Sequence, residues 1–63
     1  MILEIGKKYK IILSINNATL TYNCEITEIE SPFFSFVDKF GGEYTYNKNL
    51  IISIQEEKDG KSN

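Results

Sequence analysis

Apolar and polar residues alternate along most of this chain, the two-residue period of a half-buried β-strand. Tyr9, Ile11, Leu13 and Ile15 alternate with Lys8, Lys10 and Ser14. Ile12 interrupts the polar side, as a residue does when it packs under a neighbouring segment or at a subunit contact. Gly6-Lys7 reads as a bend ahead of this strand. Asn16-Asn17 reads as a hairpin after it, because asparagine tolerates left-handed backbone angles. In the next strand Ala18, Leu20, Tyr22, Cys24 and Ile26 share one face, and Thr19, Thr21, Asn23, Glu25 and Thr27 share the other. The phase then slips, since Ile29 is apolar while Glu28 and Glu30 are not. A one-residue slip predicts a bulge or sharp bend near Thr27-Glu28.

Ser31-Pro32 is a turn, because proline cannot sit in a central ladder. Three more strands follow: Phe33 to Val37, Glu43 to Tyr46, and Leu50 to Ile54. Asp38 to Gly42 forms the first turn between them, and Asn47-Lys48-Asn49 forms a short connector with room for one helical turn. Residues 1–6 read as a short strand or a single capping turn. No stretch carries helical periodicity. The expected inner set is Tyr9 or Ile12 with Ile11, Leu13, Leu20, Cys24, Ile26, Phe36, Val37 and Ile52. Five strands with short turns in some fifty residues would expose long apolar edges as an open meander. The expected fold is therefore all-β, a five-stranded, strongly bent antiparallel small barrel spanning residues 1–55. The polar stretch 56–63 is expected to be a flexible tail.

Composition narrows the chemistry. At 63 residues there is room for one domain. The single cysteine, Cys24, excludes an internal disulfide, and the absence of histidine excludes a Cys/His zinc site. No run approaches the ~20 apolar residues of a membrane helix, and residues 1–6 are too short and too acidic for a signal peptide. A cytoplasmic protein with no cofactor is expected. A net charge of −2 and the absence of arginine argue against duplex DNA as partner.

From Lys10 to Ile54 the layout resembles the Sm-like family, nearest its bacterial RNA-chaperone branch, Hfq. Ile11 to Leu20 is similar to that family's first strand, hairpin and second strand. Ile26 to Glu30 is similar to the bent end of the second strand, Phe34 to Asp38 to the third, and Tyr44 to Ile54 to the last two strands with their tight connector. The chain departs from the family in having Tyr22-Asn23 where a glycine usually allows the bend. It also has Asn47-Lys48-Asn49 where the eukaryotic branch has Arg-Gly and the bacterial branch Tyr-Lys-His. A plain SH3-like barrel has nearly the same layout. The resemblance implies RNA-facing loops at Glu30 to Phe34 and Tyr46 to Asn49. Phe33 would stack on a base, and Asn47, Lys48 and Asn49 would read base or phosphate. It also implies rings in which the strand at 43–47 of one subunit joins the strand at 50–54 of the next.

Catalysis finds little purchase in these residues. No histidine is present to act as base near neutral pH. Cys24 lies on an apolar strand face, the position of a small hydrophobe rather than a nucleophile. Glu25, Glu28 and Glu30 read as a solvated face, and Gly41-Gly42 is isolated rather than part of a phosphate loop. Non-catalytic binding of RNA or another single-stranded nucleic acid is the expected function, because small barrels hold single strands with aromatic platforms and a few cations. The candidate contacts are Phe33, Tyr46, Asn47, Lys48 and Asn49, with Lys8 and Lys10, which form a second basic cluster with Lys7 beside Tyr9. Phe33 and Phe34 point opposite ways on a strand, so one of them meets an interface or a ligand. A protein-interaction or self-assembly module is the alternative, including an inhibitor encoded by a virus or plasmid. Leu50 to Ile54 is apolar on both faces, which fits a central strand or a self-associating edge.

Overall fold

Tyr9, Ile11 and Leu13 supply one buried row, and the rest of the molecule is arranged to cover it. They belong to β1, Lys8–Ile15, which pairs antiparallel with β2, Ala18–Glu30. The computed structural model describes residues 3–57. The Asn16-Asn17 hairpin is as expected: both residues have positive φ, 50° and 65°, and Ile15 pairs directly with Ala18. β3 is Phe33–Asp38, β4 is Glu43–Asn47 and β5 is Ile51–Glu56. A single 3₁₀ turn, Lys48–Leu50, links β4 to β5. All strands lie in one antiparallel sheet in the order β4-β3-β2-β1-β5. The fold is the expected small, bent, barrel-like all-β one, and the sheet stays open because β4 and β5 do not pair.

Two register shifts bend this sheet. In β2, Ile26 pairs with Phe36 while Glu28 pairs with Ser35, so Thr27 is the extra residue of a bulge. The bulge explains the phase slip in the sequence: it lets Ile26 and Ile29 both face inward on either side of the bend. In β5, Ser53 pairs with Ile12 and Ile51 pairs with Leu13, which leaves Ile52 unmatched. Strict alternation would have put Ile52 and Ile54 on one face. The shift turns Ile51 and Ile54 toward the core instead and leaves Ile52 59% exposed, so the expectation that Ile52 is interior is corrected.

The buried set is Tyr9, Ile11, Leu13, Cys24, Ile26, Phe34 and Phe36, with Cys24 at its edge, 5% exposed. The sequence left the inward member of the Phe33-Phe34 pair open, and it is Phe34, which shares parity with Phe36. Val37 is therefore on the outward face and only half-buried. Leu20 is half-buried near the hairpin end, and Ile12 is half-buried on the outward side of β1. Ahead of β1, Gly6 and Lys7 form a bend that hydrogen-bonds to the backbone of Ile26 (Gly6 N to Ile26 O, 2.8 Å; Ile26 N to Lys7 O, 3.1 Å). This segment extends the edge of β2 where β1 has ended, and Leu3 packs against the core. The tail is expected to begin at Glu56, but Glu56 is the last residue of β5, paired with Tyr9, and the Glu57 N–H donates to Lys8 O at 2.9 Å; the rest of it, 58–63, lies outside the described residues.

Core truncation is expected to be costly in a domain this small. Phe36→Ala should lower stability by about 3–5 kcal/mol, enough to leave little folded protein. Ile52→Thr should stay within about 0.5 kcal/mol. Urea unfolding followed by circular dichroism checks both.

Candidate functional site

The β2–β3 turn and the β4–β5 connector meet at one end of the sheet. Ser31-Pro32 makes a two-residue turn, so Glu30 pairs with Phe33, and Phe33 pairs in turn with Asn47. The Lys48 backbone N–H donates to Pro32 O at 2.8 Å, and its ammonium donates to Ser31 Oγ at 2.9 Å. Asn47 caps the 3₁₀ turn, its Oδ1 accepting the Asn49 N–H at 2.8 Å. These bonds hold two loops as one surface. In its row Phe33 stands between Asn47 on β4 and Glu30 on β2, with its side chain 49% exposed. Four residues singled out from the sequence, Phe33, Asn47, Lys48 and Asn49, are thus brought together.

Tyr46 is not with them. It pairs with Phe34 and so faces the core side of β4. Its hydroxyl shares a hydrogen bond of 2.9 Å with the hydroxyl of Tyr22, where either oxygen can donate. Tyr22 is the hub of an aromatic cluster, with ring centroids 5.0 Å from Phe36, 5.0 Å from Tyr44 and 5.9 Å from Tyr46. Such tilted contacts add stabilisation beyond area burial. The hydrogen bond with Tyr46, followed by burial, pushes the Tyr22 phenol up to about 12.

Lys8 and Lys10 lie elsewhere on the outward face. Lys8 pairs with Glu25 in the row of Val37 and Glu43. Val37 is four residues from Phe33 along β3, or about 13 Å at the usual rise. Lys10 lines a shallow cleft with Gln55, Glu56 and Glu57. Both lysines therefore stand among carboxylates. Lys7 is paired outright, 3.5 Å from Glu4 and 3.6 Å from Glu56, and those two carboxylates raise its pKa in that order.

Cys24 lies in the core with its Sγ 3.6 Å from the Tyr9 carbonyl, and burial pushes its thiol up to about 11. A thiol held in this form is a poor nucleophile. Among the described residues no group of Cys, Asp and Glu is placed to hold a metal ion, and no helix is long and apolar enough to cross a membrane.

One organised feature escaped the sequence reading. Asp38 Oδ1 accepts the N–H groups of Phe40, at 2.9 Å, and Gly42, at 2.8 Å, and so fixes the β3–β4 turn. The signal was an aspartate opening a turn that ends in glycine, a standard Asx arrangement. Comparison with known proteins returns no matching family model, no matching curated protein and no matching solved structure. What the structure defines is a class: a small open β-sheet with a polar, aromatic loop surface at one end and free strands at both edges.

The phenol and thiol shifts set an alkaline limit. Both groups are held neutral in the fold above their ordinary values of 10.0 and 9.0. The unfolded chain then releases protons first as pH rises, so stability is full below about pH 9 and declines toward pH 12. Tyr22→Phe should cost about 0.5–1.5 kcal/mol at neutral pH and flatten the decline above pH 10. Urea midpoints across pH 7–11.5 test this, with the difference in phenolate absorbance at 295 nm between wild type and Tyr22→Phe separating Tyr22 from Tyr9, Tyr44 and Tyr46.

Proposed function

We propose that this chain is a non-catalytic module that binds single-stranded RNA, or another single-stranded nucleic acid, on the surface made by Phe33, Asn47, Lys48 and Asn49. The observation that carries this reading is the half-exposed Phe33 ring, paired in its row with Asn47, beside a turn in which the Lys48 ammonium is held on Ser31 Oγ. A phenyl face accepts any base, and stacking of one base is worth about 1–3 kcal/mol. The Asn47 and Asn49 side chains offer amide groups for base edges, and Lys48 offers a point charge for phosphate. Glu30 flanks Phe33 on the β2 side. The phosphates of a bound strand therefore run on the β4–β5 side, away from the carboxylates of β2. Lys8, Lys10 and Tyr46 stand outside this surface.

A labelled U-rich or A-rich oligonucleotide titrated at low salt tests the reading. Phe33→Ala should weaken binding by about ten- to a hundredfold, and Lys10→Ala should leave it nearly unchanged. The salt slope should be about −0.7 per phosphate neutralised. No binding at 20 mM salt would sink the proposal.

The free edges favour a second reading, an assembly or protein-interaction module. Among the described residues β4 pairs only with β3 and β5 only with β1, so each presents backbone groups to a further strand. Tyr44, Thr45 and Tyr46 on one edge and Ile51, Ile52 and Ile54 on the other are strand-favouring residues. Edge-to-edge contact of β4 with β5 of a second copy continues the sheet and, repeated, closes a ring. Light scattering at 50 µM should give a mass several times 7.3 kDa, reduced by Thr45→Lys with Ile52→Lys, which puts like charges on both edges. A monomeric wild-type protein would remove this reading and leave the loop surface to act alone.

A further inference from the structure

The β3–β4 turn carries Phe40, whose ring is 85% exposed, more than any other large apolar side chain described. An exposed phenylalanine on a slack loop would fold back onto the nearest apolar surface. This loop has no slack. Asp38 N donates to Gly42 O at 2.8 Å, Gly41 N to Asp38 O at 3.0 Å and Lys39 N to Asn23 O at 3.1 Å. Asp38 Oδ1 adds its bonds to Phe40 N and Gly42 N, and Gly41 takes φ 88° to complete the turn. The Lys39 ammonium lies 5.4 Å from the Phe40 ring centroid and is presented with it. The tip is a pre-organised knob, apolar at its end and positive beside it, so docking it costs little ordering entropy.

A hole of matching character opens at the base of the same turn. It is a cleft of about 520 Å³ with Cys24 and Val37 among its walls and Glu25, Asp38 and Glu57 as its carboxylates. Lys8 and Lys39 also line it, so three carboxylates face two ammonium groups and the cleft is net negative by one. It is large enough to admit a phenyl ring and of the right sign for the lysine that travels with it.

The geometry points to a second copy of this chain as the occupant: Phe40 of each copy enters the Cys24–Val37 cleft of the other, with Lys39 meeting the carboxylate of Glu25. Knob and hole stand side by side on one surface, which is the condition for a two-fold contact in which each copy gives and receives the same group. The contact is compact and aromatic at its centre, as interface anchors are. It uses none of the groups of the loop surface around Phe33, and it leaves the edges of β4 and β5 free.

Sedimentation velocity from 10 µM to 1 mM tests it on the wild type, on Phe40→Ser and on the edge-charged pair Thr45→Lys with Ile52→Lys. Phe40→Ser should weaken two-fold association at least tenfold with an unchanged circular dichroism spectrum, since the ring has no place in the core. The edge-charged protein should still dimerise, which separates this contact from any edge-built assembly. Lys39→Glu and Glu25→Lys should each dissociate alone. Mixed one to one they should associate again, because each like-charged pair is replaced by an opposite one. A wild type with no reversible two-fold step up to 1 mM, a Phe40→Ser protein that associates as the wild type does, or a mixture that fails to re-form dimers would each overturn the proposal.

Discussion

The bend at Thr27 is the constraint on which the rest of the structure depends. β2 is 13 residues long and is the strand shared by β1 on one side and β3 on the other. Its first half, Ala18 to Glu25, pairs with β1, and its second half, Cys24 to Glu30, pairs with β3. A straight β2 would lay β1 and β3 out side by side with their apolar faces in one plane, half open to water. The extra residue at Thr27 increases the local twist and folds the β3 half over the β1 half. Only then do Phe34 and Phe36 cover Ile11 and Leu13, and only then is a core of seven residues buried in so short a chain. The Gly6-Lys7 bend bonds to Ile26, the residue just before the bulge, and so holds the strand where its ladder is interrupted.

That bend also decides where polar chemistry is possible. The buried set contains no charged group, and no buried side-chain nitrogen or oxygen among the described residues lacks a partner. The polar tips of Tyr22 and Tyr46 satisfy each other at the rim, and the Tyr9 hydroxyl accepts the Glu4 N–H at 2.9 Å. Fold stability therefore asks nothing of the loops beyond closing their turns. Phe33, Asn47, Lys48 and Asn49 are free of core duties, and so is Phe40. Conserving the fold and varying the surface are separable in this molecule, as they are wherever binding residues sit on loops over a rigid sheet.

Much of the fold was legible in the sequence, because a two-residue period is explicit and a one-residue slip in it has few structural meanings. The hairpin at Asn16-Asn17, the bulge at Thr27 and the proline turn at Ser31-Pro32 follow from local chemistry. Two placements did not. Ile52 is expected inward and stands outward, and nothing in Leu50 to Ile54 marks the shift: every residue but Ser53 is apolar, so pattern is silent there. Val37 is expected inward beside Phe36, and strict alternation on β3 turns it out. The candidate surface was legible in half. Turn residues in adjacent loops could be expected to converge, and Phe33, Asn47, Lys48 and Asn49 do. Tyr46 carried both readings, since an aromatic next to a connector serves a core as well as a ligand. Its pairing with Phe34 and its bond to Tyr22 depend on partners 12 and 24 positions away, which local pattern does not reach.

The surfaces open to binding partners are separated by the architecture itself. The Phe33 surface is at the end of β3 where the chain enters, the Phe40 knob is at the end where it leaves, and the free edges run between them on β4 and β5. A strand edge offers affinity through backbone groups and little selectivity, whereas an anchored ring offers selectivity over a small area. If the Phe33 surface holds a single strand as proposed, Lys48 alone would give it a weak hold, because each phosphate neutralised adds only its own increment of counterion release. Affinity for a long single strand then grows by repetition of the surface, each further copy binding at the effective concentration set by its neighbour. On the proposed reading, association of copies would be the route by which so sparse a site becomes a strong one. An association built on the strand edges or on the β3–β4 turn would use neither Phe33 nor Lys48, and would leave the proposed surface open to a strand.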